Sequence, residues 1–469
     1  MTQLARIEFG LRGGKLNTDS IDNSAGVDCS DHEVNIKILL GGIEQSGRLT
    51  RKQRDKLLER MTDEVADLVL RDNYLQTQAI TVTHHLGAHL LDRLARFMRG
   101  LERQGLLNRA VEYLPDDETV VERQNQNIGL SRPELSVLLS YAKITLYDDL
   151  LGSDLPDDPC TAHFLIDYFP TPLRKKYQKD IEKHRLRREI IATVITNELV
   201  NRVGPAFVHE VGEKTGLPPS EIARAYLIAT EIFRMPALWR EIEALDNKAS
   251  AALQAAMLVD CGRLIERETV WFLREGGYPL DIAASIKAFG QGVGFLMDNL
   301  ESLISESDVT ELETRIADYR SQGAPADLAR QIAGLGLLAP ACDIVRISLA
   351  TGVSVEAVAR AYFQIGSRFG FDWLRRAAGR LPSDTAWDKL AVTAIIDDLF
   401  GHQGELTSKV LDSAGGKPAA ETMIDVWTQS RLPLVNRTDQ LLVELKATGS
   451  PDFAMLAVAN RQLKSMVVG

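Results

Sequence analysis

A mainly α-helical fold with one short α/β segment near its start is what this 469-residue sequence predicts, on three observations. Beyond Gly42, segment after segment repeats apolar residues at the helical period of 3.6. Stretches of alternating β-branched residues are scarce. The first forty residues differ in texture, reading in order as helix, strand, polar loop and helix, which is a fragment of an α/β unit.

From the N-terminus, Ala5 to Leu11 has the spacing of a short helix, and Gly13-Gly14 closes it because glycine accepts the left-handed conformation. Lys15 to Ile21 reads as a short strand. The stretch DSIDNSAGVDCSDHEVN, residues 19 to 35, follows as a loop of small and acidic residues. In it, Ser30-Asp31-His32-Glu33 has the form of a capping box, so a helix is expected from Ser30 through Val34, Ile36, Ile38 and Leu39, ending at Gly41-Gly42. Two further helix starts are explicit: Thr50-Arg51-Lys52-Gln53, and Ser131-Arg132-Pro133-Glu134 with proline in the first turn. Turn residues at Gly152 to Pro159 and Gly323 to Pro325 separate later amphipathic runs.

The length suggests two to four domains with ample capacity for a buried core. Asp and Glu total 65 against 54 Lys and Arg, a net charge of -11 that repels polyanions and disfavours nucleic acid as a partner. The basic run from Arg174 to Arg188 is interleaved with Asp180 and Glu182 and reads as a solvated helix face. Cys29, Cys160, Cys261 and Cys342 are widely separated, which fits neither a disulfide framework nor a metal site. No apolar run approaches the ~18 residues of a membrane span, and the first twenty residues lack a signal core, so a cytoplasmic protein without membrane partners is expected.

Candidate sites outside the opening stretch reduce to structural readings. Gly290-Gln-Gly292-Val-Gly294 fails the dinucleotide fingerprint, since Phe295 takes the place of the third glycine and a helix precedes it; close helix packing explains it better. His85 and His89 have a chelating i,i+4 spacing but no third ligand, so no metal is expected. An internal similarity links Thr215-Gly-Leu-Pro-Pro-Ser-Glu-Ile-Ala-Arg-Ala-Tyr226 with Thr351-Gly-Val-Ser-Val-Glu-Ala-Val-Ala-Arg-Ala-Tyr362. Phe233 and Phe369 keep the same offset. A duplicated helical module, about 190–260 and 325–400, accounts for it, with Arg224 and Arg360 equivalent.

Ser30 combines two capacities. A capping serine accepts from a backbone N–H and still has a hydroxyl proton to donate, and a helix N-terminus favours a carboxylate. Asn23-Ser24-Ala25-Gly26 ahead of it would let the backbone approach a flat ligand closely.

Asn23 to Ile38 closely resembles the signature near the end of the catalytic domain of the large bacterial NAD-specific glutamate dehydrogenases, and Leu49 to Leu58, Met61 to Ala66 and Asp72-Asn73-Tyr74 are similar to that family too. The resemblance implies residues 1–80 as the end of a Rossmann-type catalytic domain and 81–469 as a helical C-terminal domain. By it, Asn23 lies near the nicotinamide carboxamide of NAD, Gly26 permits close backbone approach, and Ser30 hydrogen-bonds the distal carboxylate of glutamate. The small glutamate dehydrogenases carry a shorter Asn-Ala-Gly-Gly-Val-x-x-Ser pattern in the corresponding segment; Ala25 stands in place of one of its glycines, and Asp28, Cys29 and His32 receive no role. The implied reaction is oxidative deamination of L-glutamate to 2-oxoglutarate and ammonia. The lysine, the aspartate and the glycine-rich nucleotide loop that it needs are not assigned here, so the expectation is a C-terminal portion, inactive without an upstream catalytic segment or partner chain and homo-oligomeric in the intact enzyme. The competing expectation is a non-catalytic helical module for assembly or regulation.

Overall fold

The structure is a computed structural model that describes residues 1–382, 386–413 and 420–468. Among the described residues there is no strand, so the expected α/β segment is made of helices joined by an irregular stretch over residues 12–18. The described chain divides into two compact units, Met1–Thr230 with Gln254–Ala283, and Glu231–Leu253 with Ala284–Gly469. No single helix among the described residues is long and apolar enough to cross a membrane.

The first unit begins as expected. Helix α1 (Gln3–Leu11) is capped by Thr2, whose side chain accepts from the Ala5 N–H, and the chain turns at Gly13 with φ +90°. The expected strand at Lys15 to Ile21 is absent. Instead the Asp22 carboxylate accepts from the Asn17 backbone N–H (3.3 Å) and side-chain amide (2.9 Å), while the Arg6 guanidinium reaches the Asn17 carbonyl (2.8 Å), Asp22 and Asp19. These contacts draw the segment into an irregular turn and a single helical turn, α2 (Asp19–Asp22), with no neighbouring strand to pair with.

Helix α3 (Ser24–Gln45) then starts six residues earlier than the capping-box reading of Ser30 and runs through Gly41 and Gly42. The reason lies on its buried face. Leu39, Leu40 and Ile43 continue the inward stripe past the glycines, and chain reversal waits for Gly47 at φ +75°. The long helix α4 (Arg51–Leu86, 36 residues) has the expected capping box: the Thr50 N–H donates to Gln53 Oε1 (2.9 Å) and the Gln53 N–H to Thr50 Oγ1 (3.3 Å). It ends before His89, which lies in a separate 3-10 turn (Gly87–Leu90), so His85 and His89 do not share a helix face. After α5 (Leu91–Arg103), the second expected start is also present: Ser131 caps the helix Arg132–Leu151, with Glu134 accepting from its N–H and its hydroxyl, both at 2.7 Å.

The two similar sequence segments fold alike. The helices Phe207–Thr215 and Ala341–Thr351 both end on a left-handed glycine, Gly216 (φ +72°) and Gly352 (φ +71°). Thr215 and Thr351 each donate four residues back, to Val211 and Ile347 (2.7 and 2.8 Å), and each accepts from the N–H two residues on. The next helices, Pro219–Ile232 and Val355–Arg368, are 14 residues each, and Tyr226, Tyr362, Phe233 and Phe369 are all fully buried. Arg234 and Gly370 then turn left-handed before nine-residue helices, Met235–Glu243 and Phe371–Gly379. The two arginines differ: Arg224 is buried against Asp154, Asp158 and Glu221, whereas Arg360 is exposed, pairing with Glu356 and donating to the Ser302 carbonyl (2.7 Å).

Candidate functional site

Helix α3 carries the three residues singled out for binding, all within its first two turns. Asn23 is its N-cap residue, and its amide makes no hydrogen bond among the described residues. Gly26 is exposed, with no atom within 4 Å of the position a Cβ would take. Ser30 is exposed in the helix interior and donates to the Gly26 carbonyl at 3.2 Å, so it does not cap a helix start. Glu33, expected to reach back toward Ser30, pairs instead with Lys37 one turn on. Correspondingly, the carboxylate-at-a-helix-start argument does not apply at Ser30. The outward face around these residues is mixed: Val27 (73% exposed) and Val34 (52%) stand beside the polar Asn23 and Ser30 and the exposed Glu33–Lys37 pair.

The opposite face is polar and buried. Ser24, Asp28, His32 and Asn35 recur at helical spacing and turn inward, carrying the stripe that Ile36, Leu39 and Ile43 continue. Each meets a side chain from a distant segment. Asn73 of α4 donates to Asp28 Oδ2 (3.0 Å) and accepts from the Ser24 hydroxyl, and the Gln76 amide donates to Ser24 Oγ (2.6 Å). The His32 ring stacks on Tyr168 at 4.5 Å between centroids, with Nε2 3.6 Å from Asp72. The Tyr168 hydroxyl donates to Asp31 (2.8 Å) and accepts from the Asn35 amide (2.9 Å). His184 donates from Nε2 to the Asn35 carbonyl (3.1 Å) while its Nδ1 accepts from the Leu186 N–H (3.1 Å), which fixes its neutral tautomer.

Charge in this layer is unbalanced toward carboxylate. Burial and the nearby Asp72 push the Asp28 carboxyl above its usual range, with Lys143 and His32 opposing. Lys143, on the helix Arg132–Leu151, is pushed down to about 8 by burial, although Asp72 and Asp28 both favour its charged form. It makes no ion pair within 4 Å among the described residues, so its support for the two aspartates acts at longer range. Burial, then the charge of Asp31, raises the Tyr168 phenol, which therefore stays a neutral donor.

The buried His32 and Tyr168 and the half-buried Asp28, Asp72 and Lys143 thus form a scaffold behind the exposed face of Asn23, Gly26 and Ser30. The sequence does carry a signal for it: the spacing Ser24, Asp28, His32, Asn35 is helical, but it is written in polar residues and so escapes a search for apolar period.

Residues 127–465 match the family described as glutamate dehydrogenase, C-terminal, and residues 1–83 match the bacterial NAD-glutamate dehydrogenase catalytic domain. Similar proteins include the NAD-specific glutamate dehydrogenases of Pseudomonas aeruginosa (43% identical), Halomonas elongata (38%) and Mycobacterium tuberculosis (36%). In each the similarity covers 99% of this chain and 29% of the relative.

Proposed function

From the fact that the chain belongs to the C-terminal glutamate dehydrogenase family, we infer that it forms part of an NAD-dependent glutamate dehydrogenase, which deaminates L-glutamate oxidatively to 2-oxoglutarate and ammonia. The observation that carries this reading is similarity to three NAD-specific glutamate dehydrogenases over 99% of the chain. The placement of Asn23, Gly26 and Ser30 on one exposed face supports it further.

NAD, when bound, supplies the acceptor for the hydride that leaves the glutamate α-carbon. The exposed face suits such a ligand: the Asn23 amide is free to donate to and accept from a carboxamide, and the open space over Gly26 lets a flat ring approach the backbone. Ser30 binds the distal carboxylate. Its hydroxyl proton goes to the Gly26 carbonyl in the free chain and to the carboxylate in the complex. The Gly26 carbonyl is not orphaned by this exchange, because the Ser30 backbone N–H lies in register to supply its helical bond.

Residues 1–80 serve as the end of the catalytic domain and 81–469 as the helical C-terminal domain. The latter is built partly by duplication, about 190–260 and 325–400, of which 383–385 lie outside the described residues. The offset between Thr215 and Thr351, 136 residues, also separates both ends of the following two helices, which supports common descent. The whole enzyme is a cytoplasmic homo-oligomer in this reading.

The test joins this chain to the upstream portion of the Pseudomonas aeruginosa relative. Glutamate-dependent NAD reduction is expected from the chimaera and not from the 469-residue chain. Ser30→Ala in the chimaera should lower kcat/KM for glutamate about tenfold, the loss of one hydrogen bond to a charged group. Unchanged glutamate kinetics would remove Ser30 from the site.

A further inference from the structure

Ser24 and Asp28 lie one turn apart on α3, and both are held by a single side chain of α4. The Asn73 amide donates to Asp28 Oδ2 (3.0 Å) and to the Val69 carbonyl of its own helix (2.7 Å), and its oxygen accepts from the Ser24 hydroxyl. The amide is therefore itself oriented by α4 before it grips α3. A helix fixed at one residue can still turn about its axis. Fixed at two residues one turn apart, on the same partner, it cannot turn without breaking both bonds. Successive residues of an α-helix are about 100° apart around the axis, so the rotation that sets Ser24 and Asp28 inward also decides where Gly26 and Ser30 point.

We propose that Asn73 is a positioning residue for the binding face: together with Gln76 at Ser24, and ahead of the grips of Tyr168 and His184 further along the helix, it holds the rotation of the first turns of α3 and so aims Asn23 at the nicotinamide carboxamide and Ser30 at the glutamate carboxylate. This rests on the reading of Asn23 and Ser30 given above. Asparagine is required because the position needs a donor toward Asp28 and an acceptor toward Ser24 at once. An aspartate there would set carboxylate against carboxylate beside Asp72.

The test is a donor swap. Asn73→Asp should speed amide hydrogen exchange over residues 26–34 of the 469-residue chain about tenfold or more. In the chimaera it should raise the glutamate KM by a similar factor, corresponding to one hydrogen bond to a charged group. Adding Asp28→Asn restores the pair across the two helices with donor and acceptor exchanged, though not the bond to the Val69 carbonyl, so both readouts should recover at least half of the change on a logarithmic scale. A role confined to stability would lower the melting temperature and leave the glutamate KM of the folded enzyme unmoved, which overturns the proposal. So does a double variant no better than Asn73→Asp alone. If Ser30→Ala leaves glutamate kinetics unchanged, the substrate reading itself fails, and that outcome is distinct from an impaired Ser30→Ala beside an unaffected Asn73→Asp, which sinks only the positioning role.

Discussion

A Cβ placed on Gly292 would lie 2.7 Å from Cγ2 of Val345, so the helix Ile282–Leu303 crosses Ala341–Thr351 where only a glycine fits. Within Gly290-Gln-Gly292-Val-Gly294, Gly292 thus serves helix packing, as the sequence context suggested, and Gly294 faces the Arg234 side chain, whereas Gly290 meets no neighbouring helix. His209, which lies 136 residues before Val345, the same offset as Thr215 before Thr351, is likewise met by a glycine, Gly100 of α5.

Gly292→Ala should destabilise the chain. Overpacking against a stiff β-branched neighbour costs ~1 to 3 kcal/mol, and the better helix propensity of alanine returns only about 0.5 to 1 kcal/mol. Gly290→Ala is the control, since its nearest neighbour, Ile286, stands at an ordinary 4.0 Å; it should gain the propensity term alone. Urea unfolding midpoints compare the two, and equal midpoints would refute the packing constraint.

Asp372→Asn should stabilise the second unit at neutral pH. Asp372 is 8% exposed, its Oδ1 accepts from Arg375, and its Oδ2 has no hydrogen-bond partner among the described residues. Burial pushes its carboxyl up to about 6, with Asp308 adding to the rise and Arg375 and Arg376 opposing it. A carboxyl whose pKa rises on folding binds more protons in the native state, so its cost appears as pH climbs from about 4 to 6 and is complete above that. The variant should gain ~1 to 3 kcal/mol at pH 7.5 and nothing at pH 4, by the linkage of pKa shift to stability. Parallel melting curves against pH would contradict this.

Lys143 should leave a mark on the alkaline side. Its ammonium titrates near 8 in the folded chain against about 10.4 when unfolded. Between those values the unfolded chain binds the extra proton, so stability rises with pH across that window and the cost of the charge is present below it. In Lys143→Met this rise should be missing while other alkaline transitions, such as those of Tyr147 and Tyr168, persist. The two stability profiles from pH 7 to 10 give the answer, and profiles of the same slope would mean that Lys143 is not held as described.

How much of this was legible in the sequence depended on how far away the determining partner lies. The Thr50–Gln53 and Ser131–Glu134 caps and the Gly216 and Gly352 stops were readable because donor and acceptor sit within a few residues. The strand at Lys15 to Ile21 was not formed, because Arg6, more than ten residues back, pins Asn17, Asp19 and Asp22. The register of α3 was harder still. Its inner face is polar, and the groups that make it buriable, Asn73, Tyr168 and His184, arrive from 45 to 149 residues downstream. Asn23, Gly26 and Ser30 could be named from their resemblance, yet the scaffold behind them could only be seen once the chain was folded.

The length of α4 has a mechanical consequence. At about 1.5 Å per residue its 36 residues make a beam ~54 Å long, clamped to α3 through Asn73 and Gln76 in its second half and ending at a left-handed glycine, Gly87. Its first half is tied down as well: Arg54 pairs with Glu44 of α3 (3.4 Å), and Glu64 accepts from the Thr171 N–H and hydroxyl (2.6 and 2.7 Å). Fastened to α3 near both ends, the beam keeps the shorter helix straight and steady, so the face of Ser30 is presented on a stiff splint rather than on a hinge.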